Sequence, residues 1–347
     1  MARNLGSLLP GIKYGHKVQP NEMVSPLVPV ETGNIWYVDG DRTTGGSGTS
    51  WDDAFGESDF DGALTDLSSS IKAGDVIYVA ARTMSQTDTD PVSYTTNLTI
   101  DIPQISLIGV SRGRTQGGLP QLKVGGTTTQ SIVRVRAPGV SISGIGINGS
   151  GATGGGIRFD DDGGTTYASF GGSVSGCHFK DCVGTTANNA ATGGAVQLSG
   201  APWQMYIGGN RFYKNVGDVV LLDTSSAVPQ DIVIEDNSFS GPAANVDCNL
   251  YLRGGSGING ITIHNNVFPQ LPALGGTNDR YIDATACVGM LTGNYFGAQS
   301  NTTGGTTLTW LAAGTAAKIP TTMHVAGNWG QGITAGESGT INIGADT

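Results

Sequence analysis

Charge is the scarcest ingredient of this 347-residue chain: Asp, Glu, Lys and Arg together make up 13% of it, about half the usual share. Apolar content stays at 38%, so the low charge does not signal disorder, which couples low hydrophobicity to high net charge. Cysteine is also sparse. Cys177, Cys182, Cys248 and Cys287 form no CxxC pair, which excludes zinc-ribbon and thioredoxin-type spacing; buried free thiols are expected rather than disulfides. Only four His are present. His178 and His264 have no second His at ligand spacing, so no metal and no cofactor are expected. No apolar run approaches the roughly 18 residues of a membrane span, and no membrane partner is expected. The opening MARNLGSLLPGIKYGHKV lacks the apolar core of a secretory signal, so synthesis in a cytoplasm is the expectation. The net charge of -10 argues against nucleic acid, which wants a basic stripe.

Glycine is what the chain has in excess, 56 residues, more than twice the usual share of about 7%. Many short strands joined by Gly, Asn, Ser and Thr turns fit this better than helices do. Five segments align beneath one another: MYIGGNRF (205–212), IVIEDNSF (232–239), ITIHNNVF (261–268), GMLTGNYF (289–296) and, more loosely, MHVAGNWG (323–330). Asn210, Asn237, Asn266, Asn294 and Asn328 recur at separations of 27, 29, 28 and 34. Phe212, Phe239, Phe268 and Phe296 follow two places later. Upstream, Cys177 with Phe179 and Ile145 with Ile147 occupy the same slots.

Between these segments fall GGIRFDD (155–161), GGAVQLSG (193–200), GDVVLLDT (217–224), CNLYLRGG (248–255) and RYIDATA (280–286). Most are short alternating runs, the mark of a strand with one buried face. Three strands per coil of about 28 residues describe a three-faced solenoid, in which neighbouring coils share one core. Asn suits the turn because it enters the left-handed region cheaply and can hydrogen-bond neighbouring backbones as a stacked ladder. The aromatic is expected to point inward and stack coil on coil.

The front end differs. Residues 34–40 read as a strand, followed by a Gly/Thr/Ser loop over 43–50. Phe60, Leu64, Leu67 and Ile71 mark one face of a short amphipathic helix capped by Ser58 or Asp59 and ended by Gly74. The expected organisation is an extended N-terminal arm (1–33), a cap (34–75), an all-β right-handed parallel β-helix (76–332) and a tail (333–347).

The stretch IWYVDGDRTTGGSGTSWDDAF…ALTDLSSSIKAGDVIYVA…LTI…ISLIGVSRG resembles the opening of pectate-lyase-like right-handed β-helix proteins, with residues 35–110 carrying this start and 140–330 the coils. The resemblance implies the fold. It is weak for function, because such folds host lyases, hydrolases, adhesins and phage spikes. Pectate lyases of the superfamily use calcium held by acidic side chains and an Arg base, and no matching Arg motif stands out here. Of the polygalacturonase-like patches only Asp-Asp is met, at Asp52-Asp53 and within Asp160-Asp161-Asp162.

A glycosidase needs two carboxyl groups about 5–9.5 Å apart. Coils stack at about 4.8 Å, so acids one or two coils apart would fit. Asp160 or Asp161, Asp223 and Asp283 lie at similar points of one strand type and are the candidate catalytic residues; solvated acids on a sheet face are the simpler reading, and the expectation leans away from an enzyme.

Residues 1–20 hold Arg3, Lys13 and Lys17 and no acid, leaving 15 basic against 28 acidic residues, or -13, in the remainder. The arm carries Pro10, Pro20, Pro26 and Pro29 and scattered apolar residues. It reads as an extended peptide that folds on a partner, with Leu8, Leu9, Ile12, Lys13, Lys17 and Leu27 as partner-binding residues. Phage virion proteins built on β-helices share these features. The expectation is a capsid decoration protein or spike, located in the virion and attached to other virion proteins through the arm. A homotrimer is expected by analogy with projecting spikes, and a glycan is a further candidate partner. A polysaccharide-degrading spike or enzyme and a cell-surface adhesin are the alternatives.

Overall fold

The computed structural model describes residues 33–58, 70–83, 92–111, 118–160, 169–186, 189–200, 202–222, 228–240, 248–253, 257–270, 280–299, 317–318 and 322–330. Within them the chain winds as an all-β, right-handed parallel β-helix with three sheets, each joined only by parallel pairing of successive coils. Sheet A has ten strands, from Ile35–Val38 to Met323–Ala326; sheet B has nine, from Ser93–Thr96 to Trp329–Gly330; sheet C has eight, from Leu98–Ile100 to Ala317–Lys318. One coil runs through Ser173–Ser175 in A, His178–Lys180 in B and Val196–Leu198 in C before returning to A at Tyr206–Gly208. Coil length follows from paired residues in sheet B: Phe179↔Phe212 is 33 residues, Phe212↔Phe239 is 27 and Phe268↔Phe296 is 28.

The alternation of apolar residues along each strand buries one face. The main core runs from Val38 to Met323. Within it Phe179, Phe212, Phe239, Phe268 and Phe296 are fully buried. Their rings stack at successive centroid distances of 4.9, 4.9, 4.7 and 4.8 Å. The strand spacing dictates this separation, since identical slots repeat once per rung.

At the A-to-B corner two neighbouring residues divide the work. The left-handed position is taken by Gly144, Gly176, Gly209, Asp236, Asn265, Gly293 and Gly327, all with φ between 52° and 67°. The ladder residue is the next one. Asn237 Nδ2 donates to Ile207 O at 2.9 Å, and its Oδ1 accepts from Asn210 N at 2.9 Å. Asn266, Asn294 and Asn328 repeat this on the following rungs. Each Asn thus clamps the turn before it, satisfying buried backbone groups that a tight corner would otherwise leave unpaired.

The free edge of sheet A at Ile35–Val38 is covered by the following loop. Tyr37 N donates to Gly48 O at 2.8 Å, and Phe55 N donates to Tyr37 O at 2.9 Å. Buried Asp75 staples this end, accepting from Asn34 N, Trp36 Nε1 and Lys72 N at 2.7–2.8 Å. An edge closed in this way is no template for stray pairing. Glu57 and Ser58 are helical; Phe60, Leu64 and Leu67, the arm through residue 32 and the tail from 333 lie outside the described residues. Ile35–Val38 already pairs with Val76–Ala80, so the first sheet begins ahead of residue 76.

Candidate functional site

The outer face of sheet C carries a cluster of paired charged side chains. Arg134 and Arg158 face outward on adjacent rungs, where like charges repel. Asp160, only 2% exposed, sits between them. Its Oδ2 accepts from Arg134 Nε at 2.7 Å and lies 2.6 Å from Arg134 Nη2. Arg158 Nε stands 3.2 Å from the same oxygen, and Arg158 Nη2 donates to Ser199 Oγ at 2.9 Å. One rung back, Arg136 and Asp101 form a two-point pair. Asp160 is therefore an acceptor held between two guanidinium groups, a poor position for giving or taking a substrate proton.

Farther along the same face the short turn Ala190–Thr192 packs on the sheet. Ala190, Val216, Val220, Leu222, Cys248 and Tyr251 form a small second core there. Buried Asp218, between Val216 and Val220 in sequence, accepts from Asn215 Nδ2 at 2.9 Å and from Asn249 Nδ2 at 2.7 Å. Burial pushes its carboxyl up to about 7, against the lowering effect of the two amides. Asn249 Oδ1 is buried with no hydrogen-bond partner. Asn215 also accepts from Cys182 N at 2.9 Å, repeating the A-to-B clamp at the B-to-C corner.

Asp283 is fully buried, accepts from Thr285 Oγ1 at 2.5 Å and lies 3.7 Å from Arg253 Nη1. From the Asp160 rung to the Asp283 rung the sheet makes four steps, through Val196–Leu198, Gly217–Leu221 and Cys248–Tyr251 to Arg280–Asp283. At about 4.8 Å per step that is roughly 19 Å, too far for one glycosidase pair. Asp161 and Asp223 lie outside the described residues, as do Leu8, Leu9, Ile12, Lys13, Lys17 and Leu27.

No protein-family model matches the chain, and no curated protein matches it. Among solved structures it is similar to pectate lyase Pel9A, at 12% identity and a TM-score of 0.44 over 89% of this chain and 80% of that one. It is also similar to the GH136 lacto-N-biosidase from Eubacterium ramulus, at 11% identity and a TM-score of 0.35 over 86% and 67% of the two chains. Likeness at this level says nothing about chemistry.

A second polar constellation, which sequence reasoning missed, lines an open cleft at the N-terminal end. Arg82 Nη1 donates to Glu57 Oε2 at 2.6 Å, and Arg82 Nε lies 3.5 Å from Asp41 Oδ1. Asp41 Oδ2 accepts from Thr83 N and Oγ1 at 2.7 and 2.6 Å. Glu57 Oε1 accepts from Thr95 N at 2.9 Å. These residues share no period, so no pattern in the sequence joins them. The four cysteines are buried and free, and burial pushes Cys177 and Cys287 up to about 12. Such thiols are inert rather than nucleophilic.

Proposed function

We propose that this chain is a structural rod: a projecting β-helix of a phage particle, attached through residues 1–33 as a decoration protein or spike. The observation that supports it best is how three carboxylates of sheet C are used. Asp160, Asp101 and Asp283 are each tied to an Arg on the same face, while the Asn column and Phe stack run unbroken along the axis. Both arrangements stiffen the coil against its neighbours. The proline-containing, basic N-terminal stretch supplies a peptide suited to folding on a partner. Fusing residues 1–33 to an unrelated monomeric carrier tests the anchor: the carrier should then co-sediment with assembled particles, and a carrier that stays in the supernatant would count against it.

The N-terminal cleft favours a second reading, polysaccharide cleavage, because Asp41 and Glu57 converge on one Arg82. Under the structural reading, incubation with acidic and neutral polysaccharides releases neither reducing ends nor unsaturated products. Release that is lost in Glu57→Gln or Asp41→Asn would establish the enzymatic reading instead.

A further inference from the structure

The outer face of sheet A changes character along the rod. Trp36, Val38, Ile77, Val79 and Leu107 turn to the core, so their neighbours Tyr37, Tyr78 and Ile108 turn outward. Register places these three in one column, which continues as Ser143, Ser175 and Gly208. The column beside it runs through Ile35, Val76, Ser106, Ser141 and Ser173. Bulky apolar side chains therefore fill the outward slots at the N-terminal end, and small ones fill those that follow. Trp51 extends the bulky end. Its ring meets Tyr37 edge-on at 4.8 Å, and Tyr37 stacks on Tyr78 at 6.0 Å. Trp51 is 40% exposed, and Tyr37, Tyr78 and Ile108 are half-buried. The coil itself does not require an outward aromatic row, since the later rungs do without one.

What covers this row is narrowed by where the chain enters it. The described residues begin at Gly33, two positions before Ile35. In the stretch just before them, PNEMVSPLVPVET (20–32), Pro20, Pro26 and Pro29 fall within ten residues, and Pro26-Leu27-Val28-Pro29 is a P-x-x-P run. Such runs favour the polyproline II helix, in which residues three apart share a face at a spacing of about 9 Å. They dock on rows of aromatic rings. Three rings separated by 4.8 and 6.0 Å make a row of matching length. The connection is long enough. Six residues from Pro29 to Ile35 reach up to about 20 Å. Tyr78 lies one rung and two residues from Ile35, roughly 8 Å away. A polyproline backbone also leaves its carbonyls unpaired, and the indole N–H of Trp51 is a donor suited to one of them.

We propose that the Pro26-Leu27-Val28-Pro29 run docks as a polyproline II turn on the Tyr37, Trp51 and Tyr78 row of its own chain. Leu27 then falls on another face of the turn and stays available to a partner, and residues 1–19 are not involved. The inference therefore does not rest on what the arm attaches to. Its test uses the purified full chain without particles. Acrylamide quenching of Trp51 is read as the difference between each chain and the same chain carrying Trp51→Phe. Pro26→Ala/Pro29→Ala should raise that quenching several-fold by uncovering the indole, and Pro10→Ala should leave it unchanged. Tyr78→Ser, which installs the residue type that Ser143 and Ser175 bring to the same column, should raise it as well. Unchanged quenching in the double proline variant would overturn the docking. Photoreactive benzoylphenylalanine in place of Val28 then identifies the occupant in a mixture of unlabelled and heavy-nitrogen chains. Cross-links to Tyr37, Trp51, Tyr78 or Ile108 should join peptides of the same isotope. Mixed-isotope cross-links would put a second copy's segment on the row, and cross-links elsewhere on the rod would put the run elsewhere. Either result would overturn the assignment.

Discussion

Replacing Asn266 by alanine removes donors and an acceptor at once: Ile234 O loses its amide, and Asn237 N loses the Oδ1 that it donates to at 3.0 Å. Buried groups left unsatisfied in this way cost about 1–3 kcal/mol, measurable as a lowered midpoint in urea. Phe239→Ala opens a gap between rings stacked at 4.9 and 4.7 Å and should cost about 3–5 kcal/mol. Both positions were legible in the sequence because a residue demanded once per coil recurs at nearly constant separation. The division of labour beside them was not. The left-handed slot is filled by Gly209, Asp236 and Asn265 in turn, so it shows no single letter, and the Asn that does recur suggests itself for the backbone role it does not have. The Asn215 clamp was missed for a similar reason. Phe179 to Cys182 and Phe212 to Asn215 repeat the same spacing 33 residues apart, but among the described residues these two coils alone use it.

The strand Gly217–Leu221 of sheet C carries a pH dependence. Its Asp218 has a folded-state value raised to about 7 by burial, against an ordinary value near 3.9. The native protein holds this proton more tightly than the unfolded chain does. Its contribution is therefore present in full below about pH 4, falls as pH rises towards 7 while the unfolded carboxyl ionises, and levels off above that. Asp218→Asn removes the ionisation and keeps the shape. Its carbonyl can accept from Asn215, and its amide can donate to the oxygen of Asn249, which is unpaired in the wild type, once that amide turns. Differential scanning calorimetry should show the Tm of the variant gaining on wild type between pH 5 and pH 8; a constant difference would mean that Asp218 does not titrate there. Nothing periodic announces this cluster. Asp218 reads as one more polar residue of an alternating strand, and its partners Asn215 and Asn249 come from the preceding corner and from the next coil. The Asp160 site was half legible: the acid stood out within Asp160-Asp161-Asp162, but its capture by Arg134, 26 residues earlier, follows from coil register alone.

At the scale of the whole molecule, the three-sheet winding followed from the repeat, because coils of about 28 residues leave few other ways to bury one apolar face per strand. The attachment of the rod did not follow in the same way, since a peptide that folds on a partner has no repeat of its own. Residues 1–33 should anchor a β-helix that is stable without them. Deleting residues 2–30 and measuring both the Tm of the purified chain and its incorporation into assembled particles tests this most directly. The expected result is a soluble β-helix with nearly unchanged Tm that no longer incorporates. A truncated chain that unfolds would place the arm within the core, and one that incorporates normally would contradict the anchor outright.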